Sequence, residues 1–365
     1  MTGDAAAGAD ATLRAVVQGF AVGGEFLSAA PYGQGLIHRS YCVTVNRGGA
    51  LERCIVQRIN TRVFPRPIEL MENIDRVTAH LAGIAESTGR RALALIPALD
   101  GRSWHRDADG AWWRMYRYIE GTRTVEQIES AEQCFQVARA FGDFQRQLTT
   151  LPPPRLHDTI PGFHDTPKRI AALERAIAAD VAGRVKLAGP EIDFIEARRD
   201  LARVLLNAGL PERVTHNDTK INNVLLDEKT GEAVCVIDLD TVMPGLALYD
   251  FGDMVRTATC AAPEDERDLE KVYARFDYFE ALARGYLSSA GKFLMRDEKE
   301  LLTAAGKLIT FEQGVRFLWD FLEGDKYYPV SREAHNLDRC RAQFRLLESI
   351  EQQERQMNRV VDALV

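Results

Sequence analysis

At 365 residues the chain is longer than one typical hydrophobic core supports, so two lobes or two domains are expected. Its 46 Lys and Arg against 53 Asp and Glu leave a net charge of −7, which argues against a protein devoted to gripping nucleic-acid backbones. Six cysteines, Cys42, Cys54, Cys134, Cys235, Cys260 and Cys340, form no Cys-x-x-Cys pair, which fits reduced thiols better than a disulfide frame or a zinc site. Met1 to Asp10 lacks the basic flank and apolar core of a signal peptide, and no apolar run reaches membrane-spanning length. A cytoplasmic location is expected, with no membrane, nucleic-acid or protein partner implied.

In chain order, Thr12 to Phe20 has helical apolar spacing. Three stretches rich in β-branched and aromatic residues follow, Phe26 to Tyr32, Arg39 to Val45 and Leu51 to Arg58, separated by glycine turns and read as strands. Gly33 and Gly35 lie between the first two, where either a nucleotide-covering loop or a simple hairpin turn fits. His38 stands where a Gly-x-Gly-x-x-Gly loop would have its third glycine, and no Gly-x-x-x-x-Gly-Lys-Ser/Thr run occurs anywhere. Ile68 to Ile84 reads as a helix carrying Glu69 and Glu72, and Trp112 to Gly121 as the last strand of a sheet-rich part. From Ala131 to Leu148 onward the pattern is helical apart from one hairpin. The expected organisation is α+β, with a small sheet-bearing portion at 1–120 and a helical portion at 121–365. Lys168 to Ala182 and Glu191 to Ala208 are expected as a helical pair, and the charged Glu348 to Asp362 as the exposed face of a terminal helix.

The chemistry concentrates in Val214 to Asn223 and Val236 to Asp240. His216, Asp218 and Asn223 meet the spacing of the kinase catalytic loop, in which a carboxylate accepts the proton of an attacking hydroxyl and an amide a short loop later reaches Mg²⁺. Val224 to Asp227 and Glu232 to Val236 read as strands joined by the turn Glu228 to Gly231, a hairpin expected to return Asp238 toward Asn223. Asn223 and Asp238 are accordingly the expected metal ligands, oxygen donors suited to a hard cation.

The words Thr215-His216-Asn217-Asp218-Thr219-Lys220, Ile237-Asp238-Leu239-Asp240-Thr241-Val242-Met243-Pro244-Gly245 and Asp250-Phe251-Gly252-Asp253 resemble the aminoglycoside phosphotransferase and choline kinase-like superfamily, and most closely its N-acetylhexosamine 1-kinases. Further matches run from Phe163-His164-Asp165-Thr166-Pro167 to Glu323-Gly324-Asp325 and His335-Asn336-Leu337. The resemblance implies a two-lobed protein kinase-like fold, ATP as co-substrate, Mg²⁺ as cofactor and a small-molecule sugar as acceptor. It makes Asp218 the residue that orients the acceptor hydroxyl and takes its proton, and places Lys220 near the transferred phosphoryl group. Gln57 stands where the phosphate-pairing lysine of protein kinases belongs, as in the sugar-kinase branch, and Arg117, Tyr118 and Ile119 fall where backbone contacts adenine. Arg316 and Tyr327 match positions that line the sugar pocket. Leu36 replaces a histidine and Thr257 an aromatic residue of a related hexosamine kinase, which bears on the preferred sugar.

Two literal motif matches are traps. Asp250-Phe251-Gly252 and Ala262-Pro263-Glu264 are separated by too short a run for a regulated activation segment, so Asp250 is read as bracing the catalytic loop or capping the next helix. The expected activity is phosphorylation of the anomeric hydroxyl of an N-acetylhexosamine. A kinase of another small alcohol and a nucleotide-binding pseudokinase are the rival readings.

Overall fold

The computed structural model describes residues 12–33, 37–88 and 91–365. It divides into two units, one running to Thr122 and taking in Leu151–Ile160 and Val234–Val242, the other holding Arg123–Thr150, Pro161–Ala233 and Met243–Val365.

The first unit is built on a five-stranded antiparallel sheet. After a short helix, α1 (residues 12–18), come β1 (Glu25–Pro31), β2 (Arg39–Arg47), β3 (Ala50–Arg58), helix α2 (Pro67–Thr88), β4 (His105–Arg106) and β5 (Trp112–Arg117), in spatial order β1-β2-β3-β5-β4. Alternation along the strands decides what is buried where. Val43 and Val45 of β2, Cys54 and Val56 of β3, and Trp113 and Met115 of β5 share one face and pack with Leu13, Val16 and Val17 of α1 into a single apolar cluster. Residues Gln57 and Arg114, directly paired across β3 and β5, belong to the opposite face.

The second unit is mainly helical. Strands β6 (Thr122–Arg123) and β9 (Ala233–Val236) lie where the chain passes between units, and within the second unit α3 (Ala131–Leu148), α4 (Thr166–Ala179) and α5 (Gly189–Glu196) precede β7 (Arg213–Thr215) and β8 (Val224–Asp227). Then follow β10 (Met243–Gly245), α6 (Ala247–Ala258), α7 (Phe276–Ala290), α8 (Arg296–Glu300), α9 (Leu302–Leu322) and α10 (His335–Leu364). The core joins Ile170 and Leu173 of α4, Phe311, Phe317 and Phe321 of α9, and Cys340, Phe344 and Leu347 of α10. Gly252 lets α6 lie against α9, because a Cβ there would come within 2.4 Å of the Ala305 carbonyl oxygen. The Asp-Phe-Gly lettering is thus a helix-packing feature.

The expected α+β architecture is what the structure shows, with local differences: β7 and β10 form a strand pair beyond the one expected hairpin, and one expected helix is broken. The helix expected over Glu191 to Ala208 ends at Glu196 and continues as short 3₁₀ turns at Arg199–Arg203 and Leu206–Ala208. Arg198 leaves the helical region at φ −119° and stacks its guanidinium over the Phe194 ring while pairing with Glu351 at 3.0 Å. Among the described residues no helix is long and apolar enough to cross a membrane.

Candidate active site

Strands β7 and β10 pair antiparallel, Thr215 opposite Met243 and Arg213 opposite Gly245, and β7 delivers the chain into His216, Asn217 and Asp218. The loop beyond the strand has no ladder to satisfy its amides, and Asp250 in the first turn of α6 supplies the acceptor. Its carboxylate accepts the N–H of His216 at 2.9 Å and of Asn217 at 2.7 Å, together with the Gln145 side-chain amide at 2.6 Å. Thr219 Oγ1 donates to the Asp250 carbonyl at 2.6 Å, closing the far side of the same turn. Complete burial pushes the Asp250 carboxyl above its usual range, while His216, Asn217 and Gln145 act against that shift. Asn217 takes φ +64°, a left-handed conformation that asparagine tolerates better than most residues. The ring of His216 is packed edge-on against Phe141 and Phe144, and His164 Nε2 donates to the Asn217 carbonyl at 3.1 Å.

This frame presents Asp218. Its side chain is 23% exposed, with Lys220 Nζ 2.9 Å from Oδ2. Burial alone would raise the Asp218 carboxyl, but Lys220 first, then His216 and Arg256, bring it below the usual carboxylate range. Asn223 Nδ2 donates to the Asp218 carbonyl at 2.8 Å, which fixes the amide and assigns its Oδ1 as the acceptor atom. Arg256 is held by Asp253 and Glu264, each at 2.8 Å.

A further group lies on α9 and the segment before α4. Glu312 accepts from His164 Nδ1 at 2.9 Å and from Thr166 Oγ1 at 2.6 Å, and lies one turn from Arg316. The Arg316 guanidinium lies 5.0 Å from the Phe163 ring and 5.9 Å from that of Tyr328. Burial, then the neighbouring Arg316, pull the Arg169 guanidinium below its usual range. Tyr327 is 48% exposed beside Tyr328, with ring centroids 4.9 Å apart. Thr257 is on α6, its hydroxyl donating to the Asp253 carbonyl at 2.8 Å.

The remaining expected site residues belong to the first unit. Gly33 takes φ +74° beyond the end of β1, whereas Gly35 and Leu36 fall outside the described residues. The N–H of Arg117 donates to the Ala94 carbonyl at 2.9 Å and that of Tyr118 to Arg53 at 3.2 Å, while the Ile119 carbonyl accepts from Thr122 Oγ1 at 2.6 Å. The Gln57 amide accepts from Arg114 Nε and donates to Ser40 Oγ, both at 2.9 Å. Glu72 pairs with His157 at 2.7 Å and Glu69 with Arg66 at 2.6 Å. Asp238 takes φ +62°, again left-handed, at the start of a tight turn. Among the described residues no group of three or more His, Cys, Asp or Glu is placed to hold a metal ion.

Residues 28–286, more than half of the chain, match the model of the phosphotransferase enzyme family. The chain belongs to that family. Solved structures of the same fold include a microcompartment-associated aminopropanol kinase, 17% identical over 95% of this chain and 98% of its own, with a TM-score of 0.59. A choline kinase from Cryptosporidium parvum Iowa II is 15% identical over 92% of each chain, with a TM-score of 0.55. An aminoglycoside phosphotransferase from Alicyclobacillus acidocaldarius subsp. acidocaldarius DSM 446 is 13% identical over 96% of this chain and 94% of its own, with a TM-score of 0.53. At these identities the likeness is one of fold.

In this phosphotransferase-family chain, Arg114 and the side chain of Asp240 carry a contact that no spacing motif announces, and His38, marked in the sequence only for replacing a glycine, joins it. Asp240 is buried, takes both terminal nitrogens of Arg114 at 2.6 Å and lies 3.1 Å from His38 Nε2. A single cation in the middle of the otherwise apolar Trp112-Trp113-Arg114-Met115-Tyr116, on the face opposite Trp113 and Met115, was the available signal.

Proposed function

We propose that the protein transfers the γ-phosphoryl group of ATP to the anomeric hydroxyl of an N-acetylhexosamine, giving the sugar 1-phosphate and ADP. The observation that carries this reading is the Asp218 carboxylate, partly exposed on a loop whose backbone is fixed by Asp250, with Lys220 beside it. In the proposed step Asp218 accepts the proton of the sugar O1 as that oxygen bonds to phosphorus, and the bond from phosphorus to the ADP oxygen breaks. The depressed acidity range of Asp218 keeps it ionised as the base at neutral pH. Lys220 then offsets charge on the phosphoryl oxygens. Asn223 and Asp238 are the proposed Mg²⁺ ligands; with Asn223 Nδ2 bonded to the Asp218 carbonyl, Oδ1 is the atom of that amide that would ligate. Bound Mg²⁺ would supply charge neutralisation at the phosphates. Gly33, Gly35, Gln57 and the backbone of Arg117, Tyr118 and Ile119 are the proposed nucleotide contacts.

The acceptor side supports a hydroxylated, uncharged molecule. Arg316 already covers the faces of Phe163 and Tyr328, so these rings do not form an open cage for a quaternary ammonium. Arg169 adjoins it, and a cationic amino alcohol or aminoglycoside would meet two guanidiniums there against the one carboxylate of Glu312. Arg316, Tyr327, Leu36 and Thr257 are the proposed sugar-contacting positions, together with Asp218.

The test is ADP release with Mg²⁺ and ATP across N-acetylglucosamine, N-acetylgalactosamine, galactose, glucose, choline and kanamycin. Selective turnover of a hexosamine supports the proposal. Turnover of choline or kanamycin alone would retain the kinase and remove the sugar, and nucleotide binding without transfer to any acceptor would favour a pseudokinase.

A further inference from the structure

Strand β3 offers Gln57 where a phosphate-pairing lysine is expected, and the Gln57 amide is already engaged by Arg114 and Ser40. Arg114 lies on this face of the sheet, one strand over and directly opposite Gln57, whereas Arg53 of the same face is turned to Glu120. It is 1% exposed, and three of its N–H groups have fixed partners: Nε on Gln57, and one on each terminal nitrogen in the parallel fork to Asp240. Asp240 is also tied through its backbone, whose carbonyl accepts from Thr159 Oγ1 at 3.0 Å, and the loop ends where Asn73 Nδ2 donates to the Val242 carbonyl at 3.1 Å. Two residues before Asp240 stands Asp238 in the left-handed region, a conformation that persists in a non-glycine residue only where the surroundings hold it.

We infer that Arg114 is a positioning residue for the proposed metal ligand Asp238, acting through its fork to Asp240. The inference rests on the kinase reading above. Arg114 thereby takes the structural part of the lysine that β3 lacks: it sets the loop of Asp238 against the sheet, and bound Mg²⁺ would supply the charge that meets phosphate. Lysine is a poor substitute at this position, because a single ammonium cannot make the two parallel bonds that fix the carboxylate's orientation.

The experiment is calorimetric titration of the full-length protein with ADP, with and without MgCl₂, for the unaltered chain and for Arg114→Lys and Asp240→Asn. The expected result is metal-free ADP affinity within about threefold of the unaltered protein, but a loss of about 10- to 100-fold in the tightening that Mg²⁺ confers, the range typical when a residue orienting a metal ligand is removed. If Arg114→Lys does not fold by circular dichroism, the double variant Arg114→Met/Asp240→Asn, which orphans no charge, is read in the same way. Undiminished Mg²⁺ tightening, or an equal loss of affinity with and without the metal, would overturn the inference. The first outcome would make the pair merely structural, and the second would make Arg114 a direct phosphate contact. An unaltered protein without Mg²⁺-dependent ADP binding would instead overturn the kinase reading on which the inference stands.

Discussion

The Asp250 carboxylate stands 2.7 Å from the Asn217 amide nitrogen, and its other oxygen accepts from His216 at 2.9 Å. One buried side chain on α6 thus satisfies two successive backbone donors of the loop that carries Asp218, and the Tyr286 hydroxyl extends the frame by donating to Gln145 Oε1 at 2.5 Å. Asp250→Ala leaves these donors buried and unsatisfied. It is expected to lower unfolding stability by about 3 kcal/mol and turnover by a larger factor than nucleotide affinity, as measured by urea denaturation and steady-state kinetics.

The pH dependence follows from the surroundings of Asp218. Its pKa lies below the usual carboxylate range because Lys220, His216 and Arg256 outweigh burial. A base in this state is active when ionised, so turnover is retained as pH falls to the depressed pKa and is lost only below it. Lys220→Met removes the largest lowering influence and leaves burial to raise the carboxyl, so the acid limb of kcat/KM shifts to higher pH. An acid limb unmoved by this substitution would show that Asp218 is not the titrating base.

Gly252→Ala tests the reading of the Asp-Phe-Gly word as packing. A methyl at this position meets the Ala305 carbonyl oxygen at 2.4 Å, which is backbone and cannot swing away. Destabilisation of about 1 to 3 kcal/mol is expected from overpacking of this kind, seen as a lower melting temperature, with the Mg²⁺ activation profile unchanged.

Arg316→Ala removes the fixed cation beside Phe163 and Tyr328. For an acceptor hydrogen-bonded by that guanidinium, a loss of about 1.5 to 3 kcal/mol should appear as a KM for the sugar at least about tenfold higher. The KM for ATP should stay near its original value, and equal rises in both would remove Arg316 from the acceptor side.

Local spacing alone gathers the proposed catalytic loop. His216, Asp218 and Asn223 fall within one short loop, and the Asn223 amide does bond the Asp218 carbonyl five residues back. The role of Asp250 was legible as one of two options, bracing or capping, and the choice required the fold, because its partners lie 33 and 34 residues earlier. Arg114 and Asp240 are 126 residues apart, and neither belongs to a spacing motif that names the other. Gln57 shows the converse: the sequence marked it for lacking charge, but only the register of β3 against β5 revealed the guanidinium opposite. The break after Glu196 was equally invisible to periodicity, because it accompanies an Arg198 contact with Glu351 in the terminal helix.

The proposed reaction turns on which oxygen receives the phosphoryl group. Its most direct test is ³¹P and ¹H NMR of the product formed from N-acetylglucosamine or N-acetylgalactosamine with Mg²⁺ and ATP, comparing the unaltered protein with Asp218→Asn. The expected result is a phosphate coupled to the anomeric proton at C1, with turnover reduced by about 10² to 10⁴ in the variant. Phosphate at any other carbon, or near-normal turnover without the Asp218 carboxylate, would contradict it.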